Sequence, residues 1–309
     1  MVTRILKADV QKGMFVEAVE CPESLFGKRR FMLLSDADVK AIRECPAEHV
    51  VINSSVGTDV LSRRIAAARQ GSDTRPATRI NGRAEAAALM AESVQLLRYG
   101  LFGIATTDDF DLEQLTPMIQ DLAHADNSTT SLFFEVTRLK DKDQTTFQHS
   151  LAVSILMGKL GDALELGSDA VELLVLSGML HDVGKLAISN DILQKQAKLT
   201  AAERLSIQRH PRHGHQILLK YPELPAEVLE ICLHHHEYLD GSGYPSRMKG
   251  SDIDLLVRIA TVCDVFEALT SARPYKRGWR TADALAWMFE RDHQFDRKLV
   301  LRLGACIEG

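Results

Sequence analysis

From residue 83 onward, apolar residues recur at the spacing of a helix face and not at the two-residue spacing of a strand. AEAAALMAESVQLLRYG, LEQLTPMIQDLAHA and TTSLFFEVTRLK all show it, with breaks at Pro and Gly. A segment of that length and period buries its apolar stripes by packing helix on helix, so the chain is expected to be mainly α. The start of the chain differs. Residues 4–21 mix strand-like apolar residues with a Lys-Gly turn, FMLL at 31–34 and the later HVVI stretch resemble short strands, and Ser35 opens a capped helix, SDADVKAIREC. Residues 1–65 are therefore expected to form a small α/β or α+β accessory unit. A linker and connecting helix follow over 66–110, the linker marked by the Gly, Pro and Asn of RQGSDTRPATRINGR. The all-helical domain then occupies 111–309.

With 45% hydrophobic residues in 309, the chain can bury a real core. Its formal charge of -5 argues against a surface built for a nucleic acid polymer, while leaving room for a local basic pocket. Five scattered cysteines without a CxxC pair suggest neither a disulfide framework nor a thiolate zinc site. The N-terminus lacks an apolar signal core, and no apolar run approaches the ~20 residues that span a bilayer. These features predict a soluble cytoplasmic protein with no membrane partner.

HDVGK, residues 181–185, follows the strongly apolar VELLVLSGML. A His-Asp pair at the end of a buried helix costs several kcal/mol unless the charge is paired or coordinated, and a metal ion resolves that conflict. Asp264 lies in LLVRIATVCDVFEAL on the stripe of Val257, Ala260, Thr261 and Ala268, facing inward. His149 shares its face with Val153 and Met157, which fits a core histidine as well as a ligand. In LHHHEYLDGSGYP, His235 continues the stripe of Val228, Ile231 and Cys232, and His236 follows Leu229, Cys232 and Leu233. His234 lies with Glu227 and Glu230 and is expected to point outward. Gly241 and Gly243 allow the turn that returns Tyr244 and Pro245 over the same end. His210 stands where Pro211 interrupts a helix, beside His213 and His215, which resemble solvated surface.

Taken together, FQHSLAVS, LHDVGKLAI, QRHPRHGHQIL, HHEYLDGSGYP and CDVFEALTSARPYK resemble the HD-GYP family of bacterial cyclic di-GMP phosphodiesterases, a branch of the HD metallophosphohydrolases. The resemblance implies an all-helical HD-type metallohydrolase domain behind a small α+β domain. It implies metal ligands at His149, His181, Asp182, His210, His235, His236 and Asp264, with Thr145 at the position where some members carry an acidic ligand for a third ion. The implied site holds two divalent metal ions, iron or manganese first, with zinc or nickel compatible. His149, His181, Asp182 and Asp264 would serve one ion and Asp182, His210, His235 and His236 the other, Asp182 bridging as part of the catalytic machinery. Lys185 is implied as the catalytic group on the scissile phosphate. Arg273, Lys276, Tyr244, Gly243 and Pro245 are implied substrate contacts. The expected reaction is hydrolysis of cyclic di-GMP to pGpG or GMP, ending a second-messenger signal. The expected partners are that nucleotide, a regulatory protein acting through residues 1–65, and a second copy in a homodimer. Two other functions fit the same motifs less well: a non-catalytic cyclic-dinucleotide sensor, and an HD hydrolase of another nucleotide.

Overall fold

The computed structural model of the chain describes residues 2–11, 14–19, 31–33, 36–57, 82–106, 112–125, 145–193, 195–271 and 278–308. Four strands, β1 (Val2–Leu6), β2 (Met14–Val19), β3 (Phe31–Met32) and β4 (His49–Gly57), form one antiparallel sheet in the order β1-β4-β2-β3. On β4, Val50 and Ile52 are two residues apart and turn to the same face. There they pack with Val10, Val16, Leu33 and with Val39 and Ile42 of α1 (Asp36–Glu44). Of the two expected classes, α/β and α+β, the small unit is thus α+β. Ser35 and most of the 66–82 linker lie outside the described residues.

Among the described residues that follow, the elements are helices: α2 (Arg83–Thr106), α3 (Leu112–Ala123), α4 (Thr145–Ala163), α5 (Ser168–Leu180), α6 (Asn190–Leu193), α7 (Ala201–Gln208), α8 (His210–Leu218), α9 (Ala226–His234), α10 (Leu255–Thr270), α11 (Thr281–Phe289) and α12 (Arg297–Glu308). Two apolar clusters flank the central pair α4 and α5. One joins them to α10, α11 and α12 through residues such as Leu160, Leu173, Phe266 and Leu303. The other joins them to α2, α3 and α9 through Leu97, Leu115, Leu176 and Val228. Covered on both sides, α5 is buried at every position from Ala170 to Leu180, which is why VELLVLSGML is apolar apart from Glu172 and Ser177 and lacks a solvent-facing polar stripe. Its C-terminal end delivers His181 and Asp182 into the interior.

Short signals set the remaining helix ends. Thr200 and Glu203 form a reciprocal capping box that starts α7. Pro211 sits in the first turn of α8, where its missing N–H leaves no hydrogen bond unmade. The Asp254 carboxylate accepts from Leu256 N at 2.9 Å and starts α10. Among the described residues no helix is long and apolar enough to cross a membrane.

One expectation fails on α9. Its Glu227–Glu230–His234 side is only partly solvated: Glu230 is exposed, but Glu227 and His234 are buried where α9 packs against α5, α8 and α10 together. Glu227 is only 6% exposed and neither of its carboxylate oxygens accepts a hydrogen bond. Burial pushes its pKa up from 4.5 to about 7, against the opposing pull of its own backbone N–H and with help from Asp254 and Glu230. A raised folded-state value means that the charged form is penalised. The penalty is absent below the unfolded value, grows as pH rises towards the folded value, and is complete above it. Glu227→Gln is therefore expected to match wild type in urea unfolding at pH 4.5 and to be more stable at pH 7.5, by about 3 kcal/mol at the 1.36 kcal/mol per unit of the linkage relation. A difference that does not change between those pH values would refute the assignment.

Candidate metal centre

Five helices and the turn after one of them supply the site. α4 contributes His149, the end of α5 and the following 3-10 turn (Val183–Ala187) contribute His181, Asp182 and Lys185, α8 contributes His210, the end of α9 contributes His235 and His236, and α10 contributes Asp264. All seven histidine and aspartate side chains named from the sequence come together. His149, His181 and Asp182 place ligand atoms within 4.8 Å of one another, and so do His210, His235 and His236. Asp182 lies between the two groups. Its Oδ2 is 3.4 Å from both His149 Nε2 and His181 Nε2, and its Oδ1 is 3.1 Å from His210 Nε2 and 3.7 Å from His235 Nε2. Asp264 also spans the groups, with Oδ1 3.1 Å from His149 Nε2 and Oδ2 3.6 Å from His236 Nδ1. Lys185 Nζ donates to Asp182 Oδ2.

The tautomers follow from what each ring touches at its other nitrogen. A carbonyl only accepts, so the 2.7 Å contact to Gly178 O puts a proton on His181 Nδ1, the 2.8 Å contact to Ile207 O puts one on His210 Nδ1, and the 2.9 Å contact to Cys232 O puts one on His235 Nδ1. His149 Nδ1 donates to Glu267 Oε2 at 2.5 Å. The neutral rings of His181, His210 and His235 then present a bare Nε2 lone pair to the centre. His210 Nε2 and His235 Nε2 face each other at 3.2 Å, and His181 Nε2 and Asp182 Oδ1 are buried without a hydrogen-bond partner. Opposed lone pairs and an orphaned carboxylate oxygen repel one another unless a cation lies between them. The donor set therefore fits a metal, and the hydrogen bonds behind the rings fix the tautomer that ligation requires.

Charge points the same way. Burial and the neighbouring rings His236, His181 and His210 hold His235 well below the usual imidazole range. Burial likewise lowers His236 to about 3, although Asp264 opposes it. For His149 burial is outweighed by Glu267, Asp182 and Asp264, which raise it well above the usual value. Burial would raise Asp182, but Lys185, His181 and His149 hold it well below the carboxylate range. The carboxylates of Asp182, Asp264 and Glu267 thus share the site with two rings, His235 and His236, that resist protonation, a field suited to cations.

Sequence reasoning missed Glu267. It lies three residues after Asp264 on the same inward face of α10, which was the available signal, and it accepts from His149 Nδ1 and from Ser271 Oγ. The sequence also placed His234 in solvent. It is 8% exposed, turned away from the seven-residue centre, with Nε2 3.5 Å from Glu230 and Nδ1 3.8 Å from Glu237. His213 and His215 are half-buried, not fully solvated. Gly243, Tyr244 and Pro245 form a turn beside His236, and Arg273 and Lys276 lie outside the described residues. His234→Gln is expected to keep wild-type metal content by elemental analysis, with some change in thermal stability. Loss of metal in that variant would show that the register assigned to these histidines is wrong.

A family model described as HD domain matches residues 134–299, and one described as a domain of unknown function, DUF3391, matches residues 3–115. Cyclic di-GMP phosphodiesterase PA4108 of Pseudomonas aeruginosa is 35% identical over 311 residues, covering 96% of this chain and 74% of that protein. The cyclic di-GMP phosphodiesterase response regulator RpfG of Xanthomonas campestris is 35% identical over 190 residues, 61% of this chain and 50% of its own length. A 3'3'-cGAMP-specific phosphodiesterase 1 of Vibrio cholerae is 44% identical over 135 residues, 44% of this chain and 31% of that protein. Among solved structures, Bd1817, a HDG"Y"P protein from Bdellovibrio bacteriovorus, shares the fold with TM-score 0.55 at 15% identity, covering 100% of both chains. With the HD model spanning more than half of the chain and a relative matched almost end to end, the chain belongs to the HD domain family, in its HD-GYP branch.

Proposed function

We propose that this chain is a metal-dependent phosphodiesterase that hydrolyses cyclic di-GMP to pGpG or GMP. The observation that carries the reading is the set of imidazole Nε2 atoms converging on the two oxygens of Asp182. Two divalent cations would fit: His149, His181, Asp182 and Asp264 would hold one, and Asp182, His210, His235 and His236 the other. Imidazole and carboxylate donors without thiolate suit iron or manganese, with zinc or nickel also accepted. Bound there, the pair supplies Lewis acidity and activates water at neutral pH.

The chain's own groups do the rest. Lys185 is tethered to Asp182 yet has 22% of its side chain exposed, so its ammonium can turn to a phosphate oxygen as charge grows there. Tyr244 forms a wall next to His236, with Gly243 and Pro245 shaping the turn. Arg273 and Lys276 are proposed to grip phosphate or guanine, where the planar guanidinium does what an ammonium could not. Residues 1–65 are proposed as the part that receives a regulatory partner, in the cytoplasm.

The competing substrate is 3'3'-cGAMP, favoured by the 44% identity to a phosphodiesterase named for it. Protein purified without oxygen, assayed for metal per chain and given Mn2+ or Fe2+, is expected to convert cyclic di-GMP faster than 3'3'-cGAMP. Faster turnover of 3'3'-cGAMP would move the substrate assignment, and tight nucleotide binding without turnover of either would make the chain a sensor.

A further inference from the structure

Four of the five histidines in the centre are oriented by a hydrogen bond at Nδ1, three to backbone carbonyls and one to Glu267. His236 is the exception: among the described residues no hydrogen bond holds its ring, and its Nδ1 stands 3.6 Å from Asp264. What it has instead is the ring of Tyr244, stacked at a centroid distance of 4.7 Å and an interplanar angle of 33°.

Tyr244 is itself held from behind. The chain leaves His236, runs directly into Glu237, makes the Gly-Ser-Gly-Tyr-Pro turn and returns at Ser246. The Glu237 side chain, 1% exposed, joins the two ends of that excursion. Its Oε1 accepts from Ser246 N at 2.5 Å and Arg247 N at 3.0 Å, and its Oε2 accepts from Met248 N at 3.0 Å. Arg247 has φ 57°, the left-handed conformation that curls successive N–H groups around one anion. The turn is pressed flat by Gly243, where a Cβ would come within 2.4 Å of His236 O and 2.5 Å of Tyr238 N, and Tyr244 N donates back to His236 O at 3.1 Å. From the other side Arg212 of α8 donates to Pro245 O at 3.2 Å, tying the turn to the helix that begins with His210.

We propose that Glu237 is a positioning residue for the His210, His235 and His236 half of the centre: by closing the Gly-Tyr-Pro turn it holds Tyr244 against His236 and so replaces the hydrogen bond that this ring lacks. The inference rests on the two-ion reading of the site and assigns Glu237 no contact with metal or substrate. A glutamine has the same shape, but its amide NH2 must face at least one of the three backbone N–H donors, so Glu237→Gln loosens the turn without opening a cavity.

The test is titration of metal-free protein with Mn2+ under anaerobic conditions, reading free Mn2+ by electron paramagnetic resonance. Wild type is expected to take up two ions. Glu237→Gln is expected to bind one as wild type does and the other roughly 10–100-fold more weakly, the usual cost of losing a group that orients a ligand. Tyr244→Leu should reproduce that pattern and Tyr244→Phe should not, because the phenylalanine ring keeps the stack; this pair decides the matter if Glu237→Gln does not fold. Two ions bound at wild-type affinity in Glu237→Gln, or equal weakening of both, would overturn the proposal while leaving the two-ion site intact. Wild-type affinity in Tyr244→Leu would overturn the route through the ring. A wild-type chain that holds fewer than two ions would overturn both this proposal and the reading on which it rests.

Discussion

Asp182→Asn is expected to abolish turnover of cyclic di-GMP and to strip metal from the protein, although the substituted side chain has nearly the same shape. Asp182 meets two imidazoles with each oxygen, Oδ2 towards His149 and His181 and Oδ1 towards His210 and His235, whereas Asp264, which also spans the two groups, meets one with each. An amide presents one neutral oxygen and two N–H donors. Whichever way it turns, either a bare Nε2 pair gains a hydrogen-bond donor where a cation should be, or the Lys185 ammonium meets an NH2 group. The centre loses a formal negative charge at its middle and the geometry for holding two cations together. The rate is expected to fall by at least roughly 10³-fold, the upper end of what one electrostatic group contributes in a water-excluded site. Metal per chain, measured on protein purified with Mn2+, should fall below one. Stability of the metal-free protein should suffer less, since Lys185 is partly exposed and can turn to water when its partner is lost. A variant that retains two ions and turns over within about tenfold of wild type would remove Asp182 from the middle of the site.

The helical register carried much of this arrangement in advance. It put His235 on the stripe of Val228 and Ile231, and all three are fully buried. It put Asp264 inward with Thr261, whose hydroxyl donates to His235 O at 2.9 Å and so ties α10 to the end of α9. What periodicity cannot report is how many sides of a helix are covered. It therefore assigned Glu227 and His234 to solvent, although α5, α8 and α10 enclose α9. The groups behind the ligands were hidden for a related reason. Glu267 and Glu237 are ordinary acids in local sequence, and their roles come from partners 118 residues away and across a turn, respectively. In the accessory unit, the HVVI stretch was legible as a strand, but the strand order β1-β4-β2-β3 depends on pairings between segments far apart in the chain.

Gly184→Ala is the substitution expected to do most damage through packing alone. The centre requires the His-Asp turn after α5 to lie directly on the first turn of α8, and Gly184 is where the two backbones meet. A Cβ there would stand 2.0 Å from His210 O, 2.4 Å from Gly214 N and 2.9 Å from His210 C. These are main-chain atoms, so no rotamer change relieves the overlap; the turn and the helix must move apart by about 1 Å or more to restore ordinary contact distances. His210 and Asp182 sit on opposite sides of that wedge, and their 3.1 Å contact is the link between the two halves of the site. A displacement on this scale costs about 10²-fold in rate when it separates reacting groups, and overpacking a close-packed contact costs roughly 1–3 kcal/mol of stability. The expected result is a folded protein with a lower melting temperature and turnover reduced about 10²-fold. Its affinity for the ion assigned to His210, His235 and His236 should weaken, while the ion assigned to His149 and His181 stays, because α4 and α5 do not cross the wedge. Wild-type turnover in Gly184→Ala would mean that the two backbones are not in contact in the working enzyme. Equal loss of both ions would mean that the substitution disturbs α5 itself, and the division of the centre into two halves that meet at Asp182 would then need to be redrawn.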